Sequence, residues 1–287
     1  MFVIIGYVIV IGSVVIGYTA HHGNLLVLWQ WTEFVIIGGA GVGTLLVANP
    51  PSLIKEIVTQ IKVALKGHEP SKKEYTDVLV CLYELIKVAK GNLLGLEAHV
   101  EKPENSEIFK KYPSVLANHH LIHFICDTLK VQISSPVSPY DLEELMEADI
   151  EAVHSEELKA AAAVNKVSDA MPGLGIVAAV LGVVITMGKL SEGKEAVGMS
   201  VAAALVGTFI GILVSYGFMG PLASKMENMI AIEGKLIQVT KAALLAFAKN
   251  CSPKVCVEFA RRTVPMHVRP GFEELDAATQ GSGQKAA

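Results

Sequence analysis

The 287-residue chain is 52% hydrophobic, carries a formal net charge of −4 and contains four cysteines. An apolar share above the roughly 45–50% usual for soluble proteins, a figure that already counts glycine, points to membrane segments. The mildly acidic balance excludes a strongly basic nucleic-acid binder.

The apolar residues are concentrated. Residues 2–20, 34–54, 170–188 and 196–224 contain no Asp, Glu, Lys, Arg or His, whereas residues 55–169 are rich in charge. Each run is long enough to cross a hydrocarbon core of about 30 Å at about 1.5 Å per residue, so four transmembrane helices are expected. The first has no positive region ahead of it and no A-x-A-like site before His21, so it does not read as a cleaved signal peptide. The turn from His21 to Glu33 has no Lys or Arg, and Trp29 and Trp31 stand where an interfacial aromatic belt places them. Asn49-Pro50-Pro51 ends the second span, and Lys55, Lys62 and Lys66 follow it; the positive-inside rule puts that end in the cytoplasm.

The long insert is helical in pattern. "LIKEIVTQIKVAL" has apolar residues at 53, 54, 57, 58, 61 and 65, a 3.6-residue stripe. "YTDVLVCLYELIKVAKGNLLGLE" and "VLANHHLIHFICDTLKVQI" repeat it, and Ser138-Pro139 followed by acids opens another helix. Pro172 is read as opening the third span. Lys189 and Lys194 in the next turn are balanced by Glu192 and Glu195. Pro221 after Gly220 interrupts a continuous helical pattern and is expected to kink it. Beyond the fourth span, Lys225, Lys235 and Lys241 again mark the cytoplasm.

The expected architecture is therefore an all-α integral membrane protein with both termini cytoplasmic. Residues 1–50 form a transmembrane hairpin with spans at about 2–20 and 34–49. Residues 51–168 form a cytoplasmic helical domain, and 169–224 a second hairpin with spans at about 170–188 and 197–220. Residues 225–269 are a cytoplasmic C-terminal helical region, and 270–287 a disordered tail.

Gly173, Gly175 and Ala178 spell G-x-G-x-x-A, with Glu192 about where a dinucleotide fold places its ribose-binding acid. That turn needs a strand before it, and "LKAAAAVNKVSD" favours helix. Glycines that let membrane helices approach closely explain the pattern better; Gly39 and Gly43, and Gly207 and Gly211, have similar spacings. Cys251 and Cys256 lack a second pair for a zinc site, while His119 and His123, one helical turn apart, could share a metal. The four cysteines are expected to be reduced thiols. No ionisable residue is expected inside the membrane region, so a proton carrier would have to come from another chain. Thr208 either bonds back to its own helix or lines a path. Pro172 and Pro221 are either helix-boundary prolines or a pair of hinges.

Four segments, "MPGLGIVAAVLGVV", "ALVGTFIGILVSYGFMGPLA", "NSEIFKKYPSVLANHHLIHFICDTLK" and "VEFARRTVPMHVRPGFEELD", resemble the MotA family of flagellar motor stator proteins in its longer, proton-driven form. The resemblance implies a non-enzymatic inner-membrane subunit without a cofactor. Five such chains would surround two MotB chains, whose transmembrane Asp accepts the proton, and torque would reach the rotor through FliG. It places Pro172 and Pro221 at the family's coupling prolines and Thr208 beside the ion path. Ala179 stands where sodium-driven relatives carry Thr, and alanine offers a hard cation no ligand. Glu97 matches a rotor-contact Glu, while the family's Arg position is Ala89 here, with Lys90 beside it as its stand-in. ExbB and TolQ relatives, the alternative within this class, have one span before their insert; a soluble nucleotide-binding enzyme is the alternative outside it.

Overall fold

The computed structural model describes the backbone of residues 2–67, 69–135 and 137–284, and the side chains of these except residue 192 and residues 282–284. No strand occurs among them. Four stretches are long and apolar enough to cross a membrane: Phe2–Ala20, Leu25–Ala48, and parts of Pro139–Gly188 and Lys194–Ala248. The chain is an all-α, multi-pass membrane protein with a large helical insert between two pairs of spans.

By its contacts the chain divides into two units, Met1–His68 with Glu156–Met229, and Glu69–Ser155 with Ile230–Ala287. In the first, α1 (Phe2–Ala20) buries no residue against the rest of the chain. A helix apolar all round and unburied by its own protein has lipid or a second chain as its solvent. A short α2 (Leu25–Leu28) leads into α3 (Trp31–Ala48), and α4 (Pro51–Lys66) follows with Pro at its start, where the missing N–H costs nothing. The α4 helix ends at Gly67, whose φ of 66° is the left-handed cap that glycine adopts without strain.

The second unit contains α5 (Lys72–Gly91), α6 (Leu93–Glu101), the short α7 (Glu107–Lys110) and α8 (Pro113–Ala117), and α9 (His119–Ser134). Ser71 and Glu74 close a reciprocal capping box at the start of α5. Its inner face, including Leu79, Leu82, Leu85 and Ile86, meets Leu121, Ile125 and Leu129 of α9 in one core.

Two long helices contribute to both units. The first, α10 (Pro139–Gly188), begins at Ser138, whose hydroxyl caps the Asp141 N–H. Pro172 does not stand at a helix start as expected; it lies inside this uninterrupted helix. Membrane helices tolerate an internal proline because neighbouring helices and hydroxyls satisfy the freed backbone groups. After a turn at Gly193 come α11 (Lys194–Val214), a π-helical turn at Ser215–Met219, and α12 (Gly220–Ala248).

The tail also differs from expectation. After α13 (Pro253–Thr263), residues Phe272–Gln284 form α14. Leu275 and Ala278 join the second unit's core, and Glu274 and Asp276 reach Lys72 and Lys254 at 2.6 and 2.5 Å. A few apolar residues at helical spacing were enough to anchor a segment whose Gly- and Gln-rich end reads as disorder; residues 285–287 lie outside the described residues.

Candidate ion path and coupling residues

The glycines of α10 and α11 interlock. A Cβ on Gly175 would lie 2.8 Å from the Gly207 carbonyl oxygen, and one on Gly211 would lie 2.6 Å from that of Met171. These are backbone atoms that cannot turn aside, so both residues must be glycine for the helices to approach this closely. The G-x-G-x-x-A pattern is thus the face of a membrane helix. The side chain of Glu192, the acid that would complete a nucleotide site, lies outside the described residues.

Gly207 marks the place where three helices converge. Its missing Cβ would meet the Ala178 methyl at 3.1 Å, the Ala179 backbone N at 3.3 Å and Glu33 Oε2 at 2.6 Å. Thr208 follows directly, its Cα against Gly175. Of the sequence-derived candidates, Ala179 and Thr208 are therefore brought together, and Glu33 joins them. The expectation that the membrane region buries no ionisable residue is overturned. Glu33, the last residue of the expected outer turn, belongs to the first turn of α3 and is only 7% exposed. The signal lay in the helical period: Glu33, Ile37 and Gly41, four residues apart, make the buried face of α3.

Thr208 is half-buried and makes no side-chain hydrogen bond among the described residues. By contrast, the hydroxyls of Thr44 and Thr186 bond back to Ala40 and Gly182, each at 2.8 Å. The alternative of a hydroxyl tied to its own helix is not realised at Thr208.

The two prolines are also linked. Proline donates no N–H to the carbonyl four residues earlier, and for Pro172 that residue is Ser168. Ser168, buried, donates its hydroxyl to the Ser215 carbonyl oxygen at 3.1 Å. Ser215 begins the π turn that precedes Gly220-Pro221, and its carbonyl also accepts the Gly220 N–H. The extra residue of a π turn rearranges the hydrogen-bond ladder where Pro221 has no N–H to give. Tyr7 of α1 donates to the Phe218 carbonyl at 3.1 Å, with the two rings 4.9 Å apart. Ser215 stands out in the sequence as one of the few polar side chains within the spans, but Ser168, at the charged end of the insert, carries no distinctive signal.

The rotor-contact candidates belong to the second unit. Glu97 is exposed on α6, lining a shallow groove with Glu101, Lys102 and Lys130. Lys90 is exposed near the end of α5, and its Nζ donates to Asn250 Oδ1 at 2.5 Å and lies 5.8 Å from the centre of the Phe247 ring. Ala89, at the family's Arg position, is buried in the core. One continuous helix does not carry both residues: the chain breaks at Asn92, whose backbone is extended.

Elsewhere in this unit, Glu84 accepts from Lys111 Nζ and the Tyr112 hydroxyl, each at 2.8 Å. Burial and this carboxylate hold the Tyr112 phenol well above its usual range. Glu258 is gripped by Arg261 through two bonds of 2.7 and 2.8 Å and by Arg262. The Arg261 pair is the main reason its carboxyl falls to about 2. Burial pushes the Cys126 and Cys256 thiols up to about 11. All four cysteines are free. His119, His120 and His123 line one cleft with Asp127 and Asp149, but no metal-binding group of three His, Cys, Asp or Glu occurs among the described residues.

Comparison with known proteins completes the description. Residues 4–92 match the family Motility protein A N-terminal, and residues 117–238 match the MotA/TolQ/ExbB proton channel family. The motility protein A sequences of Salmonella typhimurium and Escherichia coli K12 are each 38% identical over 277 residues, covering 96% of this chain and 94% of theirs. The chemotaxis protein LafT of Vibrio parahaemolyticus is 34% identical, covering 91% and 92%. In fold, the chain is similar to the C. jejuni MotAB structure, with a TM-score of 0.75 at 20% identity, covering 92% of this chain and 95% of that one. The flagellar MotAB stator complex of Bacillus subtilis gives 0.74 at 20% identity, covering 94% and 98%.

Proposed function

The chain belongs to the motility protein A branch of the MotA/TolQ/ExbB proton channel family, and from that membership we infer its role: a flagellar stator subunit that forms a proton channel with MotB and uses ion flow to drive rotation. The observation that carries this reading is the apolar, glycine-tight α10–α11 pair around Gly207. It presents a Thr208 hydroxyl that makes no hydrogen bond among the described residues, beside the Ala179 backbone, and residues 170–188 and 196–224 offer no carboxylate of their own. Such a wall moves a proton only past an acidic side chain supplied by another helix, the role assigned to the MotB Asp. Two spans ahead of the insert favour a stator over an ExbB or TolQ relative, and the channel role involves no catalytic turnover and no cofactor.

Finer assignments complete the proposal. The protein sits in the bacterial inner membrane with both termini and the large insert in the cytoplasm, as its Lys-rich span ends support. Five copies surround two MotB chains. Ala179 selects protons over a hard cation that would need an oxygen ligand. Pro172 and Pro221 act as linked hinges, a role supported by the Ser168 bridge and the π turn between them. Glu97 and Lys90 meet the switch protein FliG through exposed charge, with one Lys90 N–H already given to Asn250.

Co-expression with the MotB-type neighbour tests the core of this reading. A stable complex that restores rotation to a stator-deleted cell is the expected result. A chain that leaks protons rapidly when reconstituted alone, or that fails to bind MotB, overturns it.

A further inference from the structure

Glu33 places a carboxyl oxygen where it has no hydrogen-bond partner among the described residues. Its Oε2 is sealed from solvent by the protein and makes no hydrogen bond. The apolar stretches around it hold no cation: residues 34–54, 170–188 and 196–224 contain no Lys, Arg or His, and residues 25–32 none either. A buried ionised carboxylate without a counter-charge or donor is strongly disfavoured, and intramembrane carboxyls in such settings mark ion pathways and proton relays. Its placement fits that use. Oε2 lies against Gly207, next to Thr208 and the Ala179 backbone, the residues assigned above to the wall of the proton path. Gly207 leaves room for it: a Cβ there would lie 2.6 Å from Oε2, and the Glu33 side chain would have to shift.

We propose that Glu33 is a proton-carrying carboxyl supplied by this chain itself, upstream of the partner's Asp. It sits at the start of α3, next to the Trp29 and Trp31 belt, at the end of the span that the Lys-free turn assigns to the outside. One proton from that side binds the carboxylate to give the neutral acid. The same proton then leaves toward the Thr208 side of Gly207, and the carboxylate is regenerated. Nothing else is consumed. The inference rests on the stator reading, and its test keeps the two apart.

Glu33→Gln keeps the size and planarity of the side chain but cannot cycle a proton; Glu33→Asp keeps the acid on a shorter arm. Each variant is co-expressed with the MotB-type partner in a stator-deleted cell. Rotation speed is measured, and the purified complex is titrated by infrared spectroscopy in the protonated-carboxyl region. The expectation is that Glu33→Gln co-purifies with its partner at the wild-type ratio, loses one carboxyl band, and lowers rotation speed at least about tenfold, a loss modest for a positioned proton-transfer group. Glu33→Asp retains the band and most of the speed. Wild-type speed in Glu33→Gln overturns the proposal. So does loss of complex in Glu33→Gln and Glu33→Asp alike, which would make Glu33 a packing residue. If the wild-type chain itself restores no rotation with its partner, the stator reading fails instead.

Discussion

Replacing Gly211 with alanine tests whether the α10–α11 contact holds the path together. The new Cβ would stand 2.6 Å from the Met171 carbonyl oxygen, 2.9 Å from the Gly175 Cα and 3.1 Å from the Gly175 N, where ordinary contact begins at 3.4 Å. All three neighbours are backbone, so no rotamer change relieves them. The helices must separate by a large fraction of an ångström, and overpacking of that kind costs about 1–3 kcal/mol. Gly173→Ala is the matched control. Nothing lies within 4 Å of its Cβ, and a helix-interior Gly→Ala change is worth about 0.5–1 kcal/mol in the stabilising direction. Thermal unfolding of the detergent-solubilised complex with MotB, monitored by loss of the assembled species, measures both. Gly211→Ala should melt lower than wild type and Gly173→Ala the same or higher. A Gly211→Ala complex with wild-type midpoint and rotation would refute the close-packed wall, because the methyl could then be accommodated only in helices spaced more widely than those described.

The remaining predictions address coupling, rotor contact and pH. Replacing Pro172 or Pro221 with alanine should abolish rotation while the complex still assembles; loss of assembly, seen as a missing MotB band on co-purification, would return both prolines to a purely structural role. Ser168→Ala removes the hydrogen bond to the Ser215 carbonyl, at a cost of about 1 kcal/mol. It should reduce torque at high load more than free speed, and equal loss at all loads in a bead assay would argue against a hinge link. Glu97→Lys should impair rotation without altering proton flux, and a changed flux would remove Glu97 from the rotor surface. The Glu258 carboxyl is lowered to about 2, so its pairing with Arg261 stabilises the fold fully above the ordinary carboxylate range near 4.5 and is lost as pH falls toward 2. Glu258→Gln should lower stability at neutral pH and flatten the acid limb of the unfolding curve; an unchanged acid limb would show that the pair does not govern it.

Much of this protein was legible in its sequence because the membrane imposes a one-dimensional rule. Backbone groups in lipid must be satisfied within the helix, so length and absence of charge mark the spans. The 3.6-residue stripes of the insert marked its helices for the same local reason. The short α14 escaped because its anchoring comes from Leu275 meeting a core assembled elsewhere in the chain. Pro172 departs from the local rule that favours proline at a first turn, because packing against neighbouring helices carries α10 straight through it.

The sequence by itself determined the class of the protein: four apolar runs, a helical insert, and motifs specific enough to indicate the family. Only the tertiary structure decided which side chains meet. It set Glu33 against Gly207 beside Thr208, tied Ser168 to the carbonyl that opens the π turn, and parted Lys90 from Glu97 at Asn92. Charge and hydropathy are properties of single positions, and a sequence displays them directly. An unpartnered carboxyl or a shared carbonyl is a relation between residues as much as 174 positions apart, and it exists only once close-packed helices have excluded every other arrangement.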